Sequence, residues 1–470
     1  MMKNELIFII ILLLFLQTGC KKDFLDQRPN LAQVTPTTLA DCQALLDDYS
    51  RMNAGYPDHG EAASDSYYFT DAVYESLPDA NNTAENKNNY VWHPQGEHVA
   101  QWLQGYQVVY NANLVLSTLE KLSTTDPNYK MIRGAALFFR AFAYYSLAQL
   151  FCKPYTVGTA GTDLGIPIRV TPNPQELSSR GTVKQIYDRI TADLNEAVSL
   201  LPIEVKIKAR PSKAAAYGAL ARTYLSMEDY ANAGKMADEC LKLQSTLIDY
   251  NVTSNPATST TVNSSATGPS FMRFNAEVIF QAVTIYGTLA PGMVRIDPAL
   301  YDSYSATDRR KGVFFGEGME WNGVPNGIIG FRGNYDGTES SGLFMGLATN
   351  EIYLIRGECY ARAGNTRLAM NDLNTLMAKR MVPPYINRTA SSANNALVQI
   401  LTERRKELVF RTLRWTDLRR LNKDPAFAVT LRRDMNTISY TPLQPNDPRY
   451  TLLIPTREVI DLTGMEQNPR

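Results

Sequence analysis

Two well-separated stretches of this chain carry one and the same pattern of large and small side chains. The first runs from Ser212 through Tyr217, Ala221, Tyr224 and Ala233 to Leu241; the second runs from Glu351 through Tyr353, Gly357, Tyr360 and Ala369 to Leu376. Aligned on Tyr217 and Tyr353, both place a small residue at +4, a tyrosine at +7 and an alanine at +16. Small residues at such positions let two helices approach closely, so each window reads as a helical hairpin.

The same reading extends along the chain. Glu97 to Leu122 and Tyr129 to Phe151 make a long antiparallel pair, broken at Thr124-Thr-Asp-Pro127. Val183 to Leu201 carries an apolar stripe at Ile186, Ile190, Leu194 and Ala197 that Pro202 stops, and Ala396 to Phe410 holds Ile400, Leu401, Leu408 and Val409. Asp249 to Ser270 is rich in Ser, Thr and Asn and reads as an exposed loop. Glu277 to Val283 looks like a strand, and Gly312 to Gly346 mixes glycines with aromatics without helical periodicity. The expected fold is mainly α: a tetratricopeptide-like helical-hairpin scaffold with long loop insertions and a few short strands. Residues 20–470 are expected to form a single domain, with an N-terminal part over 20–210, a C-terminal part over 211–470 and a loop insertion over about 249–346.

Location is read from the N-terminus. Leu6 to Leu16 is an unbroken run of 11 apolar residues. As a helix it rises about 16 Å, roughly half the hydrocarbon core of a bilayer, which fits the h-region of a signal peptide over residues 1–19. Gly19-Cys20 then looks like a bacterial lipobox, with Cys20 the acylated residue and membrane attachment through that lipid anchor. Charge is balanced, at 47 basic and 47 acidic residues, which offers no field for nucleic acid. Cys42, Cys152, Cys240 and Cys359 are scattered without metal-type spacing, and Cys240 and Cys359 fall at small-residue positions of helical patterns, as buried thiols do.

Motifs of catalysis are missing: there is no G-x-S-x-G, no Walker loop, no G-x-G-x-x-G after a strand, and His59, His93 and His98 form no metal-binding pattern. Neither a metal nor a cofactor is expected. Glu403-Arg-Arg-Lys-Glu407 with Arg414-Trp-Thr-Asp-Leu-Arg-Arg420 is the densest charge cluster. It reads as an anion site or carboxylate pair, or, with more weight, as a helix end knitted by ion pairs with Trp415 in the core. Aromatics outside the helical stripes sit beside amides and carboxylates: Asp65 and Tyr67, Asn89 and Trp92, Trp321 and Asn322. A sugar ring has one weakly polar face that stacks on indole or phenol, while its hydroxyls need Asn or Asp partners. Trp92, Trp321 and Tyr67 are thus expected to stack, and Asp65, Asn89 and Asn322 to bond hydroxyls.

Taken in order, these residues form a family pattern. Cys20 with Phe24-Leu25-Asp26 is followed by Arg133-Gly-Ala-Ala-Leu-Phe-Phe-Arg140, Arg210-Pro-Ser-Lys213, Glu277-Val-Ile-Phe280 and Asp308-Arg309-Arg310. Glu351-Ile-Tyr-Leu-Ile-Arg356, Gly364-Asn365, Asp372-Leu-Asn374, the Glu403–Arg419 cluster, Leu453-Ile-Pro455 and Gln467-Asn468-Pro469 complete it. The chain resembles the SusD/RagB family of outer-membrane nutrient-binding lipoproteins of Bacteroidetes. The resemblance implies a non-enzymatic protein at the cell surface that captures an oligosaccharide, polysaccharide or peptide for a SusC-like TonB-dependent transporter. It also shows two departures: Arg411-Thr412 stands where Glu-Gly is usual, and Leu347-Ala-Thr-Asn350 lacks the arginine that commonly enters the helix of Glu351. Two rival readings are a non-catalytic helical-repeat scaffold that binds protein or peptide, and a glycosidase.

Overall fold

A computed structural model describes residues 36–77, 82–176, 179–265, 268–284, 294–319, 325–338, 342–436 and 440–470. The signal peptide, Cys20, Trp321 and Asn322 lie outside the described residues. Helix α1 (Val99–Leu119) and helix α2 (Pro127–Phe151) form the long antiparallel pair. Asp126 caps α2 through the Asn128 N–H, and Pro127 takes its first turn, where no backbone donor is needed. The pair closes tightly because Gly105 has no side chain: a Cβ there would lie 2.6 Å from Leu147. Helix α3 (Val183–Leu200) starts at a capping box made by Thr182 and Gln185 and buries Ile186, Ile190, Leu194 and Ala197, the stripe read from sequence.

Both repeated windows are hairpins. Helices α4 (Lys213–Ser226) and α5 (Tyr230–Leu243) make the first, capped by Ser212 and Asp229. Helices α6 (Thr349–Arg362) and α7 (Thr366–Met377) make the second, joined by Gly364 at φ 80° and the cap Asn365. The small positions Ala221, Ala233, Gly357 and Ala369 are buried. The hairpins interlock where Gly234 of α5 meets α6, since a Cβ there would stand 3.0 Å from that of Cys359. A buried ion pair ties them again: Arg222 of α4 grips Glu351 of α6 at 2.8 and 2.6 Å. All four described cysteines are buried free thiols.

Helix α8 (Ala393–Glu407) and helix α9 (Arg414–Leu421) follow. The α8 helix ends before Phe410, not at it, because Phe410 has φ 54° and cannot continue a right-handed helix. The Glu277–Val283 segment is two short strands rather than one. Val278–Phe280 pairs antiparallel with Leu347–Ala348, and Val283–Thr284 pairs parallel with Ala54–Tyr56. The glycine-rich stretch contributes an antiparallel ladder of Phe315–Met319 with Pro325–Phe331.

Charges anchor the insertion to the helices. Arg310 and Arg380 are fully buried. Arg310 holds Asp308 at 2.9 and 2.7 Å, pairs with Glu403 and reaches Glu407 at 3.2 Å. Arg380 bonds Glu407 at 2.9 Å and Glu277 at 2.7 Å. Burial alone would raise the Glu403 carboxyl, but Arg310, Lys406 and Arg388 outweigh it and hold it below the usual range. The charge cluster is therefore the ion-paired helix end, and Trp415 is in the core.

The Arg411-Thr412 departure has a local consequence. The guanidinium carbon of Arg411 lies over Tyr335, 3.6 Å from its ring centre, and 4.6 Å from that of Phe344. Thr412 takes φ 61°, a conformation that suits glycine and strains a β-branched residue. Relief of about 1–3 kcal/mol of strain, less about 0.5–1 kcal/mol for the added freedom of an unfolded glycine, predicts that Thr412→Gly stabilises the protein by about 1 kcal/mol. Urea unfolding followed by circular dichroism reads this directly; a destabilised variant would show that the threonine side chain makes up for its backbone.

Candidate functional site

The structure gathers Tyr67, Asn89 and Trp92 into one cluster and turns them inward. Tyr67 donates to the Ala62 carbonyl at 2.6 Å, Asn89 to the His59 carbonyl at 2.8 Å, and the Trp92 indole to the Ala63 carbonyl at 2.9 Å. All three are buried. Arg433 lies over them, 4.0 Å from the Tyr90 ring centre and 4.7 Å from that of Trp92, and donates to the carbonyls of Ser64, Tyr90 and Tyr67. Asp65 receives Arg414 at 2.7 and 2.8 Å and Arg405 at 3.1 Å. Burial works to raise its carboxyl, yet the two arginines hold it well below the usual range. In this arrangement the ring faces and polar atoms of these residues order the 58–69 and 89–93 segments, and none of the three buried side chains offers a face to solvent.

Two histidines sit under the same segment. The His59 and His98 rings meet Nδ1 to Nδ1 at 2.6 Å, and His59 Nε2 lies 3.1 Å from the Asn86 side-chain oxygen. His59 therefore donates through Nε2 to Asn86 and accepts at Nδ1 from His98, which requires the His59 ring to be neutral. Burial pulls His59 down to about 4, and burial together with its neighbour pulls His98 well below the usual imidazole range.

An open groove of about 450 Å³ runs along α1. Trp102, Tyr106 and Tyr110 recur at four-residue spacing on one side of that helix, with Trp102 and Tyr106 in ring contact at 4.8 Å. Tyr110 is 38% exposed and Leu103 is 51% exposed, so apolar faces are open to a ligand. The second wall is the 167–176 loop, pinned from beneath. Tyr106 donates to the Pro167 carbonyl at 2.8 Å, and Tyr144 exchanges 2.6 Å bonds with the Arg169 backbone. Asn113 donates to the Arg169 carbonyl at 2.9 Å while accepting from Arg140 at 2.9 Å, and Asp193 holds that arginine at 2.7 and 2.8 Å. Gln107, Arg169 and Glu176 supply polar groups along the groove, which the C-terminal residues Val459 and Leu462 close. The volume lies in the range of small-ligand sites. Sequence reasoning missed it because Tyr106 and Tyr110 fall on a helix and read as core; the available signal was that large side chains surround α1 on more sides than one core face needs.

A tetratricopeptide-like helical protein with a loop-walled surface groove is thus the class that the fold defines. Comparison with known proteins narrows it. The family described as "Starch-binding associating with outer membrane" matches residues 23–225, and the SusD family matches residues 345–470. The chain belongs to the SusD/RagB family. A SusD-like protein P2 of Formosa agariphila is 30% identical over 138 residues, a match that spans 29% of this chain and 26% of that relative. Among solved structures, a SusD superfamily protein of Bacteroides thetaiotaomicron has a TM-score of 0.71 at 22% identity, covering 92% of this chain and 100% of that one. The surface glycan-binding protein A of Bacteroides uniformis has a TM-score of 0.68 at 16% identity, covering 92% and 99%. No helix of the described residues is long and apolar enough to cross a membrane.

The histidine pair yields a pH prediction. A depressed His59 contributes stability that is present above the unfolded value near 6.5 and is lost as pH falls through about 4. Glu61, pushed up to about 7 by burial, acts in the opposite sense as pH rises to that value, so global unfolding mixes the two. The ring C–H resonances of His59 isolate the effect: they are expected to stay at neutral-form shifts down to about pH 5. A midpoint near 6.5 would mean that the pair is open to water.

Proposed function

We propose that this protein is a lipid-anchored, cell-surface member of its family that binds a nutrient oligosaccharide and passes it, chemically unchanged, to a SusC-like TonB-dependent transporter in the outer membrane. The observation that carries the reading is the α1 groove. Its open phenol and aliphatic faces suit the weakly polar face of a sugar, and Gln107, Arg169 and Glu176 suit its hydroxyls. The family description and the glycan-binding name of the Bacteroides uniformis protein support the ligand class. Gly19-Cys20 supports the anchor. Trp321 and Asn322 complete the proposal on residue type, as a second stacking and hydroxyl-bonding pair in the segment between the paired strands.

The test is affinity electrophoresis of protein lacking residues 1–20 against a panel of neutral and acidic polysaccharides, with each sample assayed for new reducing ends. Retardation without new ends is the expected result. New ends would replace the reading with an enzyme, and no retardation on any polysaccharide would move it to a peptide ligand. Tyr110→Ala and Trp321→Ala are each expected to cost about 1–3 kcal/mol of affinity, the scale of aromatic stacking. An unchanged affinity removes the residue concerned from the site.

A further inference from the structure

The open strip on α1 leads to the point where the described chain begins. Leu103 and Tyr110 are exposed, Leu114 is half-buried, and Thr118 follows, at successive spacings of seven, four and four residues. Such spacings keep all four on one side of a helix. The Thr118 hydroxyl donates to the carbonyl of Pro36 at 3.2 Å, and Pro36 is buried there. The chain then enters helix Leu39–Leu46, capped by Thr38, which packs on α1 and α2. The segment before Pro36 therefore departs from the C-terminal end of α1, beside the strip that lines the groove.

Length, side chains and charge fit that segment to the groove. Back from Thr118 along the α1 axis, Leu114 is about 6 Å away, Tyr110 about 12 Å and Leu103 about 22 Å. Residues 28–35 read Arg-Pro-Asn-Leu-Ala-Gln-Val-Thr, and the prolines at 29 and 36 bias Arg28 and Thr35 to extended backbone. A polyproline II chain has three residues per turn and rises about 3.1 Å per residue. It would set Val34, Leu31 and Arg28 on one face, about 6, 16 and 25 Å from Pro36. Val34 then falls level with Leu114, Leu31 between Tyr110 and Leu103, and Arg28 just beyond Leu103. Glu458 lines the groove at that far end. Glu85 there accepts from the Val99 N–H at 3.0 Å, and its carboxyl is pushed up to about 7 by burial, then by the charges of Glu97 and Glu458. Neither Glu458 nor Glu176 pairs with a cation among the described residues, while the Arg169 guanidinium donates to the carbonyls of Asn173 and Glu176. We infer that residues 28–35 of this same chain dock in the α1 groove and cover Leu103, Tyr110 and Leu114 until a sugar displaces them. The displacement rests on the glycan-binding reading; the docking rests on the strip, the entry point and the charges. A segment joined at the edge of the groove acts at a millimolar effective concentration, so weak contacts are enough to occupy it.

Disulfide trapping on protein lacking residues 1–20 tests the docking without any glycan. The four native cysteines of that protein are buried and do not compete. Arg28→Cys is combined with Leu103→Cys or with Gln104→Cys, an exposed neighbour at the same height on another side of α1. The intramolecular disulfide is expected to form about tenfold faster with Leu103→Cys, as a raised local concentration requires. Equal rates, or no disulfide with either, overturn the inference; a disulfide-linked dimer overturns it in favour of a second copy in the groove. Affinity for the polysaccharide that retards the protein tests the displacement. Leu31→Ser combined with Val34→Ser is expected to bind about tenfold more tightly, the scale of losing two partly buried apolar side chains. Preferential trapping with unchanged affinity upholds the docking and overturns the glycan reading of the groove. Equal trapping rates with tight glycan binding overturn the docking and leave the glycan reading standing.

Discussion

The interaction on which the rest depends is the buried lattice built by Arg310 and Arg380 on Glu277, Glu403 and Glu407. It joins four parts of the chain that are far apart in sequence: the turn leading into the Val278–Phe280 strand, the Asp308–Arg310 turn, the residues after α7, and the end of α8. Each carboxylate is shared. Glu407 takes both arginines and the Asn350 amide at 2.8 Å, while Glu277 takes Arg380 and the Tyr335 hydroxyl. Removing one partner from such a lattice costs about 3–5 kcal/mol, because it strands a desolvated charge. Apolar contact would have buried the same surface, but it is non-directional. Directional bonds hold the long insertion in one register against the hairpins.

The hairpins depend on a different physical limit, the closeness of backbones. Gly105 against Leu147 and Gly234 against Cys359 are places where one added carbon would collide. The pairing of α1 with α2 in turn supports the groove, whose near wall is the outward side of α1 and whose far wall hangs from Asn113, Tyr144 and Arg140. A rigid floor with loop walls lets a binding surface change without disturbing the fold beneath it.

Much of the architecture was legible in the sequence. The two hairpins were read from their large and small positions, Pro127 and Pro202 marked boundaries, and the apolar stripe of α3 was read residue by residue. The Glu403–Glu407 cluster was legible as an ion-paired helix end, though its partners were not. The candidate site was far less so. Tyr67, Asn89 and Trp92 stand in segments without helical periodicity, which suggests exposed loops, yet Arg433 reaches across 343 residues of sequence to bond the Tyr90 carbonyl and cover them. The groove failed to announce itself for the converse reason: an aromatic on a helix looks the same in sequence whether it faces a core or a ligand.

The sequence by itself determined the helical class, the two tetratricopeptide hairpins, the family and the expectation of a lipid anchor. These follow from signals that act within a turn or two of helix, or within one motif. Tertiary structure decided which aromatics are buried and where the open groove lies. Those outcomes depend on burial and on charges meeting across the whole chain, and a side chain's exposure is a property of its neighbours in space.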